Sequence, residues 1–185
     1  MFSFRRRKVS VDDVLKHFII MEASRKKYAD RAEEMLGWLE LSNDEFIQKV
    51  REYEIARDDD NPVFGWTIGT RKNSFYKNIS HWVLKEISLA DLYTCGINSE
   101  MKADLDAVRG NLKLFVDTGC AAKYPEFKLD SVPPQEEAKI FIGIARSDCN
   151  RDGSIELIDG VHRAVTILAR GIVRSKAYIG ALTRR

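Results

Sequence analysis

Between Ser154 and Ile172 the spacing of apolar residues changes period at a single glycine. Ile155 and Leu157 flank Glu156, the alternation of a strand, whereas Val161, Ala164, Val165 and Leu168 recur at helical intervals after Gly160 and stop at Gly171. A chain with this pattern must pass from strand to helix through one tight turn. The residues upstream extend the reading. Ile140, Ile142 and Ile144 alternate with Phe141, Gly143 and Ala145, and Asn150-Arg151-Asp152-Gly153 supplies a hairpin turn leading into Ser154–Ile158. Lys176 to Leu182 closes as a further strand, so the C-terminal part is expected to be α+β.

Further upstream, His81 to Leu92 reads as a strand running into a short turn, and one helix is expected from Asn98 or Ser99 to about Val116, followed by a loop from Tyr124 to Pro134. The N-terminal third has a different pattern. Ser10 with Asp13 and Ser42 with Glu45 match the helix-capping box, in which a hydroxyl and an acid three residues on satisfy each other's backbone N–H groups. Val11, Val14, Leu15, Phe18, Tyr28, Ala32, Met35, Leu36 and Leu39 fit one long amphipathic helix. Phe46, Ile47, Val50 and Tyr53 share a face of the next, which makes a helical hairpin. We place a helical extension at 1–57, a linker at 58–77 and the α+β domain at 78–185.

With 44% hydrophobic residues the chain can build a proper core. Its 30 basic and 28 acidic side chains leave a net charge of +2, so charge alone points to neither nucleic acid nor membrane. Three widely spaced cysteines, Cys95, Cys120 and Cys149, show no metal-ligand spacing and suit a reducing cytoplasm. No window approaches the roughly 18 apolar residues of a membrane span. Phe2–Lys8 is basic but runs into Val9-Ser10-Val11-Asp12-Asp13, unlike a secretory signal. A cytoplasmic protein without a membrane partner is expected.

The strand-to-helix turn is the candidate site. The first N–H groups of a helix lack intrahelical acceptors and carry the positive end of its dipole, an arrangement that attracts phosphate. At Asp159-Gly160-Val161-His162-Arg163, Gly160 lets the backbone approach a ligand closely and Arg163 can pair with phosphate oxygens in bidentate fashion. His162 can donate a hydrogen bond or move a proton, and Asp159 can hold magnesium or act as a base. The plainer alternative makes Asp159 a cap, Gly160 a turn residue, and His162 and Arg163 ordinary first-turn residues.

Asp-Gly-Val-His-Arg, placed between a strand and a helix, resembles the Asp-Gly-x-His-Arg box of the ParB/sulfiredoxin-like superfamily, and Trp82–Leu92 is similar to the strand and turn that open that domain. The resemblance covers roughly 78–182. It implies a small mixed-sheet domain behind the helical hairpin, a nucleoside triphosphate with Mg2+ as cofactors, and phosphate contacts from Gly160, Val161, His162 and Arg163. Asp159 and His162 would be catalytic, with Asp159 also the metal ligand, for phosphoryl transfer or nucleotide hydrolysis. Val161 stands where sulfiredoxins carry their nucleophilic cysteine, and the free serine kinases, which keep the aspartate, use a second acid for which Glu86 and Asp91 are the candidates here.

Three other patterns compete. Asp148 to Asp159 follows the ligand spacing of a calcium loop, but its twelfth position is Asp159 instead of glutamate and the preceding segment alternates like a strand, which favours a hairpin turn. Asp58-Asp59-Asp60 fits either a divalent-ion ligand set or a solvated turn. Trp66, Phe75 and Tyr76 among Arg71, Lys72 and Lys77 fit a loop tucking its aromatics into a nearby core, the commoner case, or a stack on a nucleic acid, and Arg5-Arg6-Arg7-Lys8 with the Arg71-Lys72 loop would serve a ParB-like nuclease or DNA-bound regulator. A non-catalytic interaction module that docks a protein on the helical hairpin is the remaining alternative.

Overall fold

The computed structural model describes residues 7–24, 29–56, 79–94, 101–127, 140–145 and 155–182. The chain forms two compact units, one covering Val9–Trp82 and one covering Val83–Leu182, which Arg7 and Lys8 join. It is an α+β protein with a mixed six-stranded sheet.

In the first unit, α1 (Val11–Ala23), α2 (Ala32–Gly37) and α3 (Asn43–Ala56) surround a core of Val14, Leu15, Phe18, Ile19, Met35, Trp38, Phe46 and Val50. Both expected capping boxes form. The Asp13 N–H donates to Ser10 Oγ at 3.1 Å while the Ser10 N–H donates to the Asp13 carboxylate at 3.0 Å. Ser42 donates to Glu45 through its N–H at 3.1 Å and through its hydroxyl at 2.7 Å. The apolar stripe expected as one helix to Leu39 is instead divided between α1, which ends at Ala23, α2, and a 3₁₀ turn at Trp38–Glu40. Val11, the first residue of α1, and Leu36 on α2, both assigned to that stripe, are exposed.

The sheet is built from β1 (Arg7–Val9), β2 (Ile79–Ser88), β3 (Leu92–Tyr93), β4 (Phe141–Ala145), β5 (Ile155–Asp159) and β6 (Arg174–Leu182), in the order β1-β2-β6-β4-β5-β3. β4 and β5 pair antiparallel, as a hairpin requires, whereas β4 with β6 and β3 with β5 are parallel. Between β5 and β6 runs α6 (Val161–Ala169), preceded in the chain by α4 (Lys102–Ala107) and α5 (Leu112–Asp117). Phe141, Ile155, Leu157, Ala177 and Ile179 point from the sheet into a core shared with Leu105, Leu112 and Phe115 and with Ala164, Val165 and Leu168 of α6.

The single helix expected to Val116 is two short ones. Arg109 and Gly110 both take positive φ, 53° and 72°, and turn the chain between α4 and α5. A β-carbon at position 110 would collide with the Thr94 carbonyl, which accepts no such approach from any residue but glycine. The Thr94 N–H donates to the Gly110 carbonyl at 3.0 Å, so the break docks this turn against the end of β3. Asn111 then starts α5, its side chain accepting from the Leu114 N–H at 2.9 Å and donating to the Ala90 carbonyl at 3.0 Å.

Candidate functional site

β5 ends where α6 begins, and the local geometry departs from a regular hairpin just before the turn. Gly143 pairs with Leu157 and Ile142 with Asp159, so β5 carries one extra residue, Ile158, in a bulge beside the turn. Gly160 follows in the left-handed region at φ 95°, and α6 starts with the Ala164 N–H donating to the Gly160 carbonyl at 2.8 Å. No side chain caps the helix from the Gly160 position, and no acidic residue lies in its first turn. The positive end of the helix dipole is therefore not offset there by a carboxylate of its own helix.

Arg163 folds back toward that turn. Its guanidinium carbon stands 5.3 Å from the centre of the Phe141 ring, a cation–π contact, and its Nη2 lies 2.5 Å from where a β-carbon on Gly160 would be. Phe141 Cδ1 lies 2.7 Å from the same point. Position 160 therefore favours glycine for its φ and because a β-carbon there would strike the Phe141 ring and displace the Arg163 guanidinium.

His162 is exposed, and its ring stands beside that of Phe127 with centroids 5.2 Å apart and planes tilted at 42°. Phe127 is itself enclosed by Phe115 at 5.7 Å and Tyr124 at 6.2 Å, both edge-on. The Tyr124 hydroxyl donates to Asp104 at 3.0 Å, and Lys123 donates to the same carboxylate at 2.9 Å. These two donors, Lys123 first, hold the Asp104 carboxyl below its ordinary range. Burial and the neighbouring Asp104 push the Tyr124 phenol up, and Asp104 likewise raises Lys123.

The structure brings Gly160, Val161, His162 and Arg163 together at one turn, with Val161 and Arg163 half-buried. Asp159 ends β5 and adjoins them in the backbone; its side chain, on which the metal and base roles depend, lies outside the described residues. Glu86 does not join the site. It sits on β2, three strands from β5 and so about 14 Å away across the sheet, and it is engaged by Arg174 at 2.6 Å. Asp91 precedes Leu92, which pairs with Ile155 at the opposite end of β5 from Asp159. Of the calcium-like loop, 146–154 lie outside the described residues, as do Asp58–Asp60, the aromatic and basic segment 66–77, and Arg5 and Arg6. Among the described residues no three His, Cys, Asp or Glu side chains gather as a metal site.

Sequence reading missed Phe127, Phe141 and Thr166, which touch the turn residues. Thr166 left a signal: it is a polar side chain one helical turn after His162, between Val165 and Ile167, and all three are buried. Phe127 and Phe141 left none, because their contacts with the turn join segments distant in sequence.

The chain matches no family model, no curated protein and no solved structure. Among the described residues no helix is long and apolar enough to cross a membrane.

Proposed function

We propose that the Gly160 turn binds the phosphates of a nucleoside triphosphate with Mg2+ and supports phosphoryl transfer or nucleotide hydrolysis. The observation that carries this reading is the start of α6, where Gly160 at the cap position brings no side chain and the first turn has no acid, with the Arg163 guanidinium drawn back over Phe141 toward Gly160. An anion placed there would meet helix N–H donors and a guanidinium together. Gly160 and Val161 would offer backbone, Arg163 charge, and His162 a proton or hydrogen bond to a transferring group. Asp159, next to the turn, would carry Mg2+ or accept a proton from the acceptor hydroxyl. The likeness of residues 159–163 to the ParB/sulfiredoxin-like box supports the same assignment.

The test is calorimetric titration of ATP, CTP and GTP, each with Mg2+, into wild type and Arg163→Met, which keeps the aliphatic stem and removes the charge. Binding in wild type weakened about tenfold or more in the variant is expected, the worth of a charge-assisted hydrogen bond. Silence of the wild type toward all three would overturn the reading and turn attention to an interaction module.

A second reading is favoured by Arg7 and Lys8, which are exposed on the edge strand β1 and suit a nucleic-acid backbone. DNA binding that weakens steeply with salt, and that Arg7→Ala with Lys8→Ala reduces, would support it.

A further inference from the structure

We propose that Thr166 is a positioning residue, which through Phe127 fixes where the His162 imidazole stands beside the phosphate turn; the functional part of this inference rests on the phosphate-binding reading above.

Thr166 follows His162 by one helical turn, and its hydroxyl lies 2.9 Å from the His162 carbonyl, a bond that threonines in helices often make. The same hydroxyl lies closer, at 2.7 Å, to the carbonyl of Phe127, 39 positions away in sequence. Neither group can turn to water, since Thr166 is 6% exposed and Phe127 1%. A carbonyl in that setting needs a donor, and Thr166 supplies it. Its single proton ties the backbone of Phe127 to α6 at the level just below His162.

That tie has a consequence at the surface. With its backbone held by Thr166 and its ring enclosed by Phe115 and Tyr124, Phe127 presents one fixed face to the exposed imidazole of His162. Holding an exposed imidazole in one position lowers the cost of engaging a ligand. Ala164, Val165, Ile167 and Leu168 are all buried apolar residues, so valine at 166 would satisfy packing alone. The hydroxyl serves the long-range tie.

The experiment compares wild type, Thr166→Val, Thr166→Ser and Phe127→Leu by NMR of the histidine ring protons. The chain has three histidines, and His162→Gln assigns the relevant signals. In wild type the Phe127 ring current displaces the His162 protons. Thr166→Val and Phe127→Leu should return them toward the positions of a free imidazole, and Thr166→Ser should restore the displacement. MgATP affinity should fall about fivefold in Thr166→Val, the usual cost of immobilising one released side chain on binding, and recover in Thr166→Ser.

Unmoved His162 signals in folded Thr166→Val would overturn the inference, because a packing role alone changes stability without moving that ring. Should the valine variant fail to fold, Thr166→Ala, which also removes the hydroxyl and leaves the Phe127 ring in place, decides in the same way. Moved signals in a protein that binds no MgATP even as wild type would instead overturn the phosphate reading and leave the coupling standing.

Discussion

α1 and α6 begin in opposite ways. The start of α1, like that of α3, is closed by its own sequence: Ser10 and Ser42 face Asp13 and Glu45, and acidic residues fill the first turn. At α6 a glycine holds the cap position, the first turn lacks an acid, and an arginine from that turn leans back toward it. α2 and α4 lack a side-chain cap but carry Glu33, Glu34 and Asp104 in their first turns, and α5 has the Asn111 cap. Among the described α-helices, only α6 has neither device. Carboxylates near a helix start typically contribute 0.3–1 kcal/mol, so forgoing them leaves positive potential for something else to use. The first two starts are closed by their own side chains; under the proposed reading, an anion would supply at the third what they obtain from those side chains.

The strongest way to break that contrast is Gly160→Ala. The left-handed conformation costs an alanine about 1–2 kcal/mol, and forcing its β-carbon between Arg163 and Phe141 costs about 1–3 kcal/mol more. A Tm lower by roughly 5–15 °C is expected, with loss of MgATP binding. A variant that melts within about 2 °C of wild type would show that the turn relaxes freely and that its glycine is incidental.

What could be read in advance followed the range of the interactions. The capping boxes at Ser10 and Ser42 are legible because donor and acceptor are three residues apart. The turn at Gly160 is legible because a period of two gives way to a helical one across it. The break at Arg109–Gly110 is not, since Met101, Leu105, Leu112 and Phe115 keep helical spacing across it and the Thr94 carbonyl that docks the turn is distant in sequence. The site divides the same way. Its five consecutive residues stood out, whereas Phe127, Phe141 and Thr166, which contact His162 and Arg163, meet them only through folding.

A middle-sized effect sharpens the contrast from the other side. Ser10→Ala or Ser42→Ala should each cost about 1 kcal/mol, the usual worth of a serine cap, seen as a Tm lower by roughly 2–4 °C. Neither should weaken MgATP binding, in contrast to Arg163→Met. A serine variant that lost affinity as fully as Arg163→Met would remove the distinction between the two kinds of helix start.

The smallest effect is a dependence on acid that the closed start possesses. The Glu45 carboxyl is held below its ordinary value first by the Ser42 hydroxyl and then by the Ser42 N–H. A carboxyl depressed on folding adds stability above its unfolded pKa, near pH 4, and that contribution disappears as pH falls through the lower folded value. Glu45→Gln keeps an acceptor for the Ser42 N–H but removes the titration. The variant should therefore melt slightly below wild type at pH 6 and converge with it toward pH 3. A gap of constant size across that range would mean that the charge of Glu45 contributes nothing. The first turn of α6 has no acidic residue, so the titration that Glu45 brings to α3 has no counterpart within that turn.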